Sequence, residues 1–195
     1  MKLEHYFYQR NALEVARDLI GKKLVRTLNN QVITGRIVET EAYVGPEDKG
    51  CHAFNNKRTA RTDAMFLPGG VAYIYLIYGM YNCFNVVAGQ LDKPEAVLIR
   101  ALEPLDNLEL IKINRKTVVR KVENLTNGPG KLCQAYKIDR GLNKYDLVEG
   151  KELYLVDSGY RGEIASGPRI NIDYAGEYKD KPWRFYLKGS SFLSR

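Results

Sequence analysis

The run Gln31–Tyr43 limits this chain more than any other stretch. Its apolar and polar residues alternate, which predicts a strand, and Asn29-Asn30 joins it by a tight turn to a second strand at Lys23–Leu28. Successive side chains on a strand point to opposite faces. Ile37, Glu39, Glu41 and Tyr43 therefore share one face, and Val38, Thr40 and Ala42 the other. Glutamate is depleted in strands. Two of them on neighbouring same-face positions repel each other, which favours a proton on one. A solvated face is the ordinary explanation, and a carboxylate tuned as a general base for water is the functional one.

The rest of the chain supplies more strands than helices. Asn11 as N-cap, the stripe Leu13, Ala16, Leu19 and Ile20, and a stop at Gly21 predict a helix. Further strands are predicted at Val71–Ile77, Tyr81–Val87, Ala96–Glu103, Glu152–Val156, Arg169–Ile172 and Arg184–Leu187. Leu105–Asn114 and Lys131–Ile138 have helical spacing. Short connections favour antiparallel pairing, so the expected class is α+β. With 195 residues the chain is expected to form one domain over 1–195.

Composition narrows the partners. Thirty Lys and Arg against 23 Asp and Glu leave a net charge of +7, which favours a polyanion. Cys51, Cys83 and Cys133 are odd in number and widely spaced, and the histidines are only His5 and His52, so neither a disulfide framework nor a metal centre is supported. No apolar run approaches the roughly 20 residues that cross a bilayer. The start, MKLEHYFYQR, has no apolar signal core, so a cytoplasmic chain is expected, and nothing in the sequence demands more than a monomer.

Several residues carry possible chemistry. Between Gly45 and Gly70 lies a long polar stretch in which residues 49–62 hold Lys49, Lys57, Arg58 and Arg61 and no carboxylate. Tyr73 and Tyr75 share a strand face, while Tyr78 falls at the strand end beside Gly79, where a ring is placed to project and to wedge between bases. Arg100 lies within the apolar run Val97–Leu102 and must be paired or functional if buried. Asn127-Gly-Pro-Gly-Lys131 lacks the spacing of a nucleoside-triphosphate loop, yet it opens a predicted helix whose free N–H groups, with Lys131, suit a backbone phosphate.

Together these segments resemble the alkyladenine (3-methyladenine) DNA glycosylase family. The resemblance rests on Gly35–Asp48, Ala72–Tyr81, Leu98–Pro104, Asn127–Ala135, Pro168–Glu177 and Lys181–Tyr186, in the family's order, and covers about Ala12 to Ser191. It implies a curved, mainly antiparallel sheet flanked by helices. It also implies a monofunctional enzyme, without cofactor, that hydrolyses the N-glycosidic bond of alkylated or deaminated purines in duplex DNA. By that resemblance Glu41 is the general base and Arg100 helps to hold the water. Tyr43, His52 and Tyr75 stack the extruded base, Asn85 discriminates against the guanine amino group, Tyr78 is the wedge, and Lys131 lies on the phosphate side. Asn171 stands where members commonly have glycine, next to a backbone carbonyl expected near the water. Two other readings compete: a non-catalytic nucleic-acid module using tyrosines as a stacking platform, and a hydrolase of small nucleosides or carbohydrates.

Overall fold

A computed structural model describes residues 1–116, 118 and 120–194. Two short helices open the chain, α1 (His5–Tyr8) and α2 (Ala12–Leu19). The Asn11 side chain accepts from the Glu14 N–H at 3.0 Å, capping α2, and Val15, Ala16 and Leu19 are buried beneath it. Strands β1 (Lys23–Leu28) and β2 (Gln31–Tyr43) form the expected hairpin. Asn29 and Asn30 both take positive φ, 47° and 64°, a left-handed turn that asparagine tolerates better than most residues.

Three more strands, β3 (Ala72–Ile77), β4 (Tyr81–Ala88) and β5 (Glu95–Pro104), precede helices α3 (Leu108–Arg115) and α4 (Pro129–Ala135). Strands β6 (Leu153–Val156), β7 (Ile164–Gly167) and β8 (Arg184–Leu187) follow. All pairings are antiparallel, in the order β3-β4-β5-β2-β1-β6. The sheet curls as a half-barrel, and the class is α+β.

Strand β2 is its spine. One edge pairs with β5 along most of its length, while the other pairs first with β1 and then, over Glu39–Glu41, with β8. The register against β5 slips between Ile37 and Glu39 and again before Thr40. Such a bulge bends a strand and re-aims its side chains. Ile37 accordingly joins Val38 in the main hydrophobic core instead of sharing a face with the glutamates, as strict alternation predicts.

The main core lies between α2, α4 and one sheet face, with Ile74, Phe84, Val97 and Ile99 against Leu19 and Leu132. Thr40 donates its hydroxyl to the Ala16 carbonyl at 2.8 Å, holding α2 against β2. A smaller cluster covers the opposite face. There Tyr73, Val87 and Ala96 meet Cys51, Ala53, Met65 and Phe66. The long polar stretch is therefore folded, with three short 3-10 turns, rather than loose.

Two further expectations need correction. Arg169–Ile172 is no strand: Asn171 has φ +60°, which breaks an extended run, and β7 lies earlier, at Ile164–Gly167. The helix expected from Leu105 starts at Leu108, because Asp106 is spent on β2, where its carboxylate accepts from the Thr34 N–H and hydroxyl at 2.8 and 2.6 Å.

The N-terminal helices dock through glycine. Gly69 donates to the Gly89 carbonyl at 2.9 Å, and Gly89 donates to that of Tyr8 at the same distance. A Cβ on Gly69 would meet the Tyr8 carbonyl inside contact distance. Gly69→Ala should lower stability by about 1–3 kcal/mol, measured as a lower denaturant midpoint, and a midpoint like the parent's would show that α1 docks elsewhere.

Candidate active site

Glu39 and Glu41 are both fully buried, and each needs donors in place of water. Strand β5 brings Arg100 between them. Its Nη1 lies 3.2 Å from Glu41 Oε2 and its Nε 3.4 Å from Glu39 Oε1. Burial pulls the Arg100 pKa down, and the two carboxylates more than offset this, so the guanidinium stays charged. Glu41 also accepts from the Tyr43 hydroxyl at 2.9 Å and the Ile170 N–H at 2.7 Å. Glu39 accepts from Arg184 at 3.1 Å and from the Ser194 N–H and hydroxyl at 2.6 and 2.9 Å. The repulsion expected of neighbouring glutamates is thus met by a shared arginine. Glu39 is turned to β8 and the C-terminal segment, whereas Glu41 stands behind Tyr43, Arg100 and Ile170, all of which line a cavity.

That cavity has a volume of about 650 Å³, within the usual range for a small-ligand pocket. It brings together Tyr43, His52, Tyr75, Asn85 and Arg100, with Tyr78 and Lys131 also on its lining. The His52 and Tyr75 rings meet edge to face at 4.6 Å, and Tyr73 and Tyr75 lie 5.4 Å apart. His52 Nδ1 is 2.9 Å from the Tyr73 hydroxyl, and Nε2 is 3.3 Å from Arg61 Nη2. Burial, then the Arg61 charge, pushes the His52 pKa down to about 4, so the ring is neutral at neutral pH. Asn85 is buried, with its amide nitrogen donated to the Tyr73 carbonyl at 3.1 Å and the Cys83 carbonyl at 3.4 Å. Lys131 donates to Asn127 Oδ1 at 2.7 Å on the α4 side of the cavity.

Tyr78 occupies the tip of the β3–β4 hairpin, 77% exposed and at φ +53°. A left-handed backbone costs a bulky residue about 1–2 kcal/mol. The ring is therefore presented outward against the chain's own preference.

Some residues of the site escape sequence reasoning. Arg169 is buried and forms a two-pronged ion pair with Asp48, at 2.5 and 2.7 Å, while donating to the Ala42 carbonyl at 3.0 Å. Its guanidinium stacks 4.8 Å from the Tyr43 ring centre and 5.0 Å from that of Trp183. This pair fixes the segment whose Ile170 N–H holds Glu41. The available signal was a proline-arginine pair far along the chain from Gly45-Pro-Glu-Asp48, which alternation disguised as a strand. The basic stretch 49–62 is also less free than its sequence suggests. Lys49 pairs with Glu177 at 3.0 Å, and Arg58 with Asp63 and Asp92 at 2.9 and 3.2 Å.

A ring-lined cavity with an arginine-clamped carboxylate behind its wall has the shape and chemistry to hold a flat, ring-bearing ligand. Comparison with known proteins gives the family. The model of the methylpurine-DNA glycosylase family matches residues 6–191. A protein of Natranaerobius thermophilus is 55% identical over 196 residues, covering 100% of this chain and 99% of its own. Proteins of Clostridium botulinum and Alkaliphilus oremlandii are 49% and 48% identical, with 100% of both chains covered in each case. All three are provisionally named 3-methyladenine DNA glycosylases. The chain belongs to the methylpurine-DNA glycosylase family.

The depressed His52 pKa has a consequence for stability. Unfolded, the ring takes a proton near 6.5; folded, only near 4. The unfolded chain binds more protons between those values, so stability must fall as pH drops from about 6.5 to about 4. His52→Gln should flatten this slope in denaturation curves collected across the window. A slope that the substitution leaves unchanged would place the acid sensitivity elsewhere.

Proposed function

We propose that this glycosylase removes alkylated or deaminated purines, 3-methyladenine among them, from duplex DNA by turning the damaged nucleotide out into the cavity. Tyr43, His52 and Tyr75 stack on the base, and Asn85 discriminates against the guanine amino group. Tyr78 takes the vacated place in the helix, and Lys131 lies toward the phosphate backbone. Glu41 acts as general base for the attacking water, which Arg100 helps to hold. The single observation that carries this reading is the posture of Glu41, a buried carboxylate aimed by two hydrogen bonds and an ion pair behind the wall of a ring-lined cavity.

The energetics fit the chemistry. Extruding a base costs a few kcal/mol, least where pairing is already damaged, and an inserted ring offsets part of the loss. As the base leaves with the bonding electron pair, the sugar gains cationic character. A carboxylate beside it stabilises that charge and accepts the proton of the attacking water. Nothing in this scheme uses an amine nucleophile or a nucleoside triphosphate. Asn171 supports it as well: at φ +60° it keeps a backbone that glycine would also adopt, so departure from the family's common residue leaves the turn around Ile170 in place.

Glu41→Gln keeps the size of the side chain and cannot take the proton. It should bind lesion duplex about as well as the parent and lose about 10²–10⁴-fold or more in single-turnover excision. Glu39→Gln should mainly lower the melting temperature, because Glu39 faces β8 and Ser194. An active Glu41→Gln with an inactive, well-folded Glu39→Gln would reverse the assignment.

Tyr78→Ala should weaken binding to lesion duplex while leaving binding to undamaged duplex nearly unchanged. Equal loss on both, in matched titrations, would make Tyr78 a general contact instead of a wedge.

A further inference from the structure

Arg61 is exposed, yet it reaches across to the cavity's aromatic cluster. Its guanidinium lies 4.8 Å from the centre of the Tyr75 ring, and its Nη2 is 3.3 Å from His52 Nε2. An arginine nitrogen only donates hydrogen bonds. His52 Nε2 must therefore accept, and the single proton of the neutral ring sits on Nδ1, a tautomer assigned here from its partners. Nδ1, 2.9 Å from the Tyr73 hydroxyl, then donates to it. With its oxygen accepting from Nδ1, the hydroxyl keeps its own proton to give away. Tyr73 is 2% exposed and lines the cavity, and among the described residues no acceptor takes that proton. A buried donor without a partner is costly unless a ligand supplies the acceptor.

We propose that Arg61, acting through His52, fixes the Tyr73 hydroxyl as a hydrogen-bond donor to an acceptor atom on the edge of the base held in the cavity. Arg61 is the positioning residue and Tyr73 the contact. The acceptor is a purine ring nitrogen or a 6-oxo oxygen, which gains electron density as the glycosidic bond breaks and its electron pair moves into the base. A donor at that edge strengthens as this happens, and so favours the transition state over the bound ground state. Tyr73 donates a hydrogen bond and transfers no proton: burial raises its pKa well above the ordinary value. The inference rests on the excision reading above for its substrate, whereas the relay itself exists in the free protein.

Two experiments separate those levels. Nitrogen-15 spectra of His52 in the ligand-free protein at neutral pH should show Nδ1 protonated and Nε2 bare. Arg61→Lys, which keeps a donor, should preserve that tautomer, and Arg61→Met should lose it. A protonated Nε2 in the parent overturns the proposal, whatever the substrate. In single-turnover excision from a hypoxanthine duplex, Tyr73→Phe and Arg61→Met should each slow the reaction about tenfold, the scale of one hydrogen bond. The double variant should be no slower than Tyr73→Phe alone, and Arg61→Lys should recover most of the rate. Losses that multiply would mean that Arg61 does not act through Tyr73. A parent that binds the duplex with the stated tautomer but excises no purine would count against the excision reading and leave the relay standing.

Discussion

One guanidinium makes the buried face of β2 possible. Two ionised carboxylates cannot be buried side by side on a strand without a compensating charge. Arg100 lies within ion-pair distance of both, and the remaining acceptor sites of Glu39 and Glu41 are filled from β8, from the segment after β7 and from the C-terminal residues. The same contacts that close the sheet around β2 orient the candidate base. Fold and site are consequently hard to vary independently here: removing a donor from Glu39 disturbs the arginine that Glu41 also uses.

The cavity shows a second pattern of the same kind. Tyr43 and Tyr75, two of its principal rings, each carry a guanidinium against the ring, from Arg169 and Arg61 respectively. Cation–π contacts of this kind hold a ring still as well as binding it. A ring already immobilised loses less freedom when a flat ligand stacks on it. Both arginines come from irregular segments outside the sheet, so loops set the rigidity of a surface that strands build.

What the sequence made legible was local. Alternation along Gln31–Tyr43 and the Asn29-Asn30 turn predicted the central hairpin, and the Tyr78-Gly79 pair predicted a projecting ring, because each signal lies within a few residues. The resemblance supplied roles for Glu41, Arg100 and their neighbours; Arg100 and those neighbours line one cavity, and Glu41 stands behind its wall, held by Tyr43, Arg100 and Ile170. Other features depend on contacts that no local window contains. Arg169 and Asp48 are 121 positions apart, and only the folded chain reveals why Pro168-Arg169 is a buried anchor and not the start of a strand. The bulge at Ile37–Glu39 escaped as well, since it arises from pairing with β5 and β8 together. Strand β7 has only four residues and ends in glycine, too little for a period to register.

The stapling of Ser194 to Glu39 and Arg100 has a consequence for how the molecule is made. The Glu39-Thr40-Glu41 motif on β2 leaves the ribosome early, but its partners lie 129, 145 and 155 residues further on, at Ile170, Arg184 and Ser194. Such long-range closure is slow to nucleate. Until residues 170 to 194 follow, a nascent chain therefore carries Glu39-Thr40-Glu41 without the donors that fill the two carboxylates' acceptor sites.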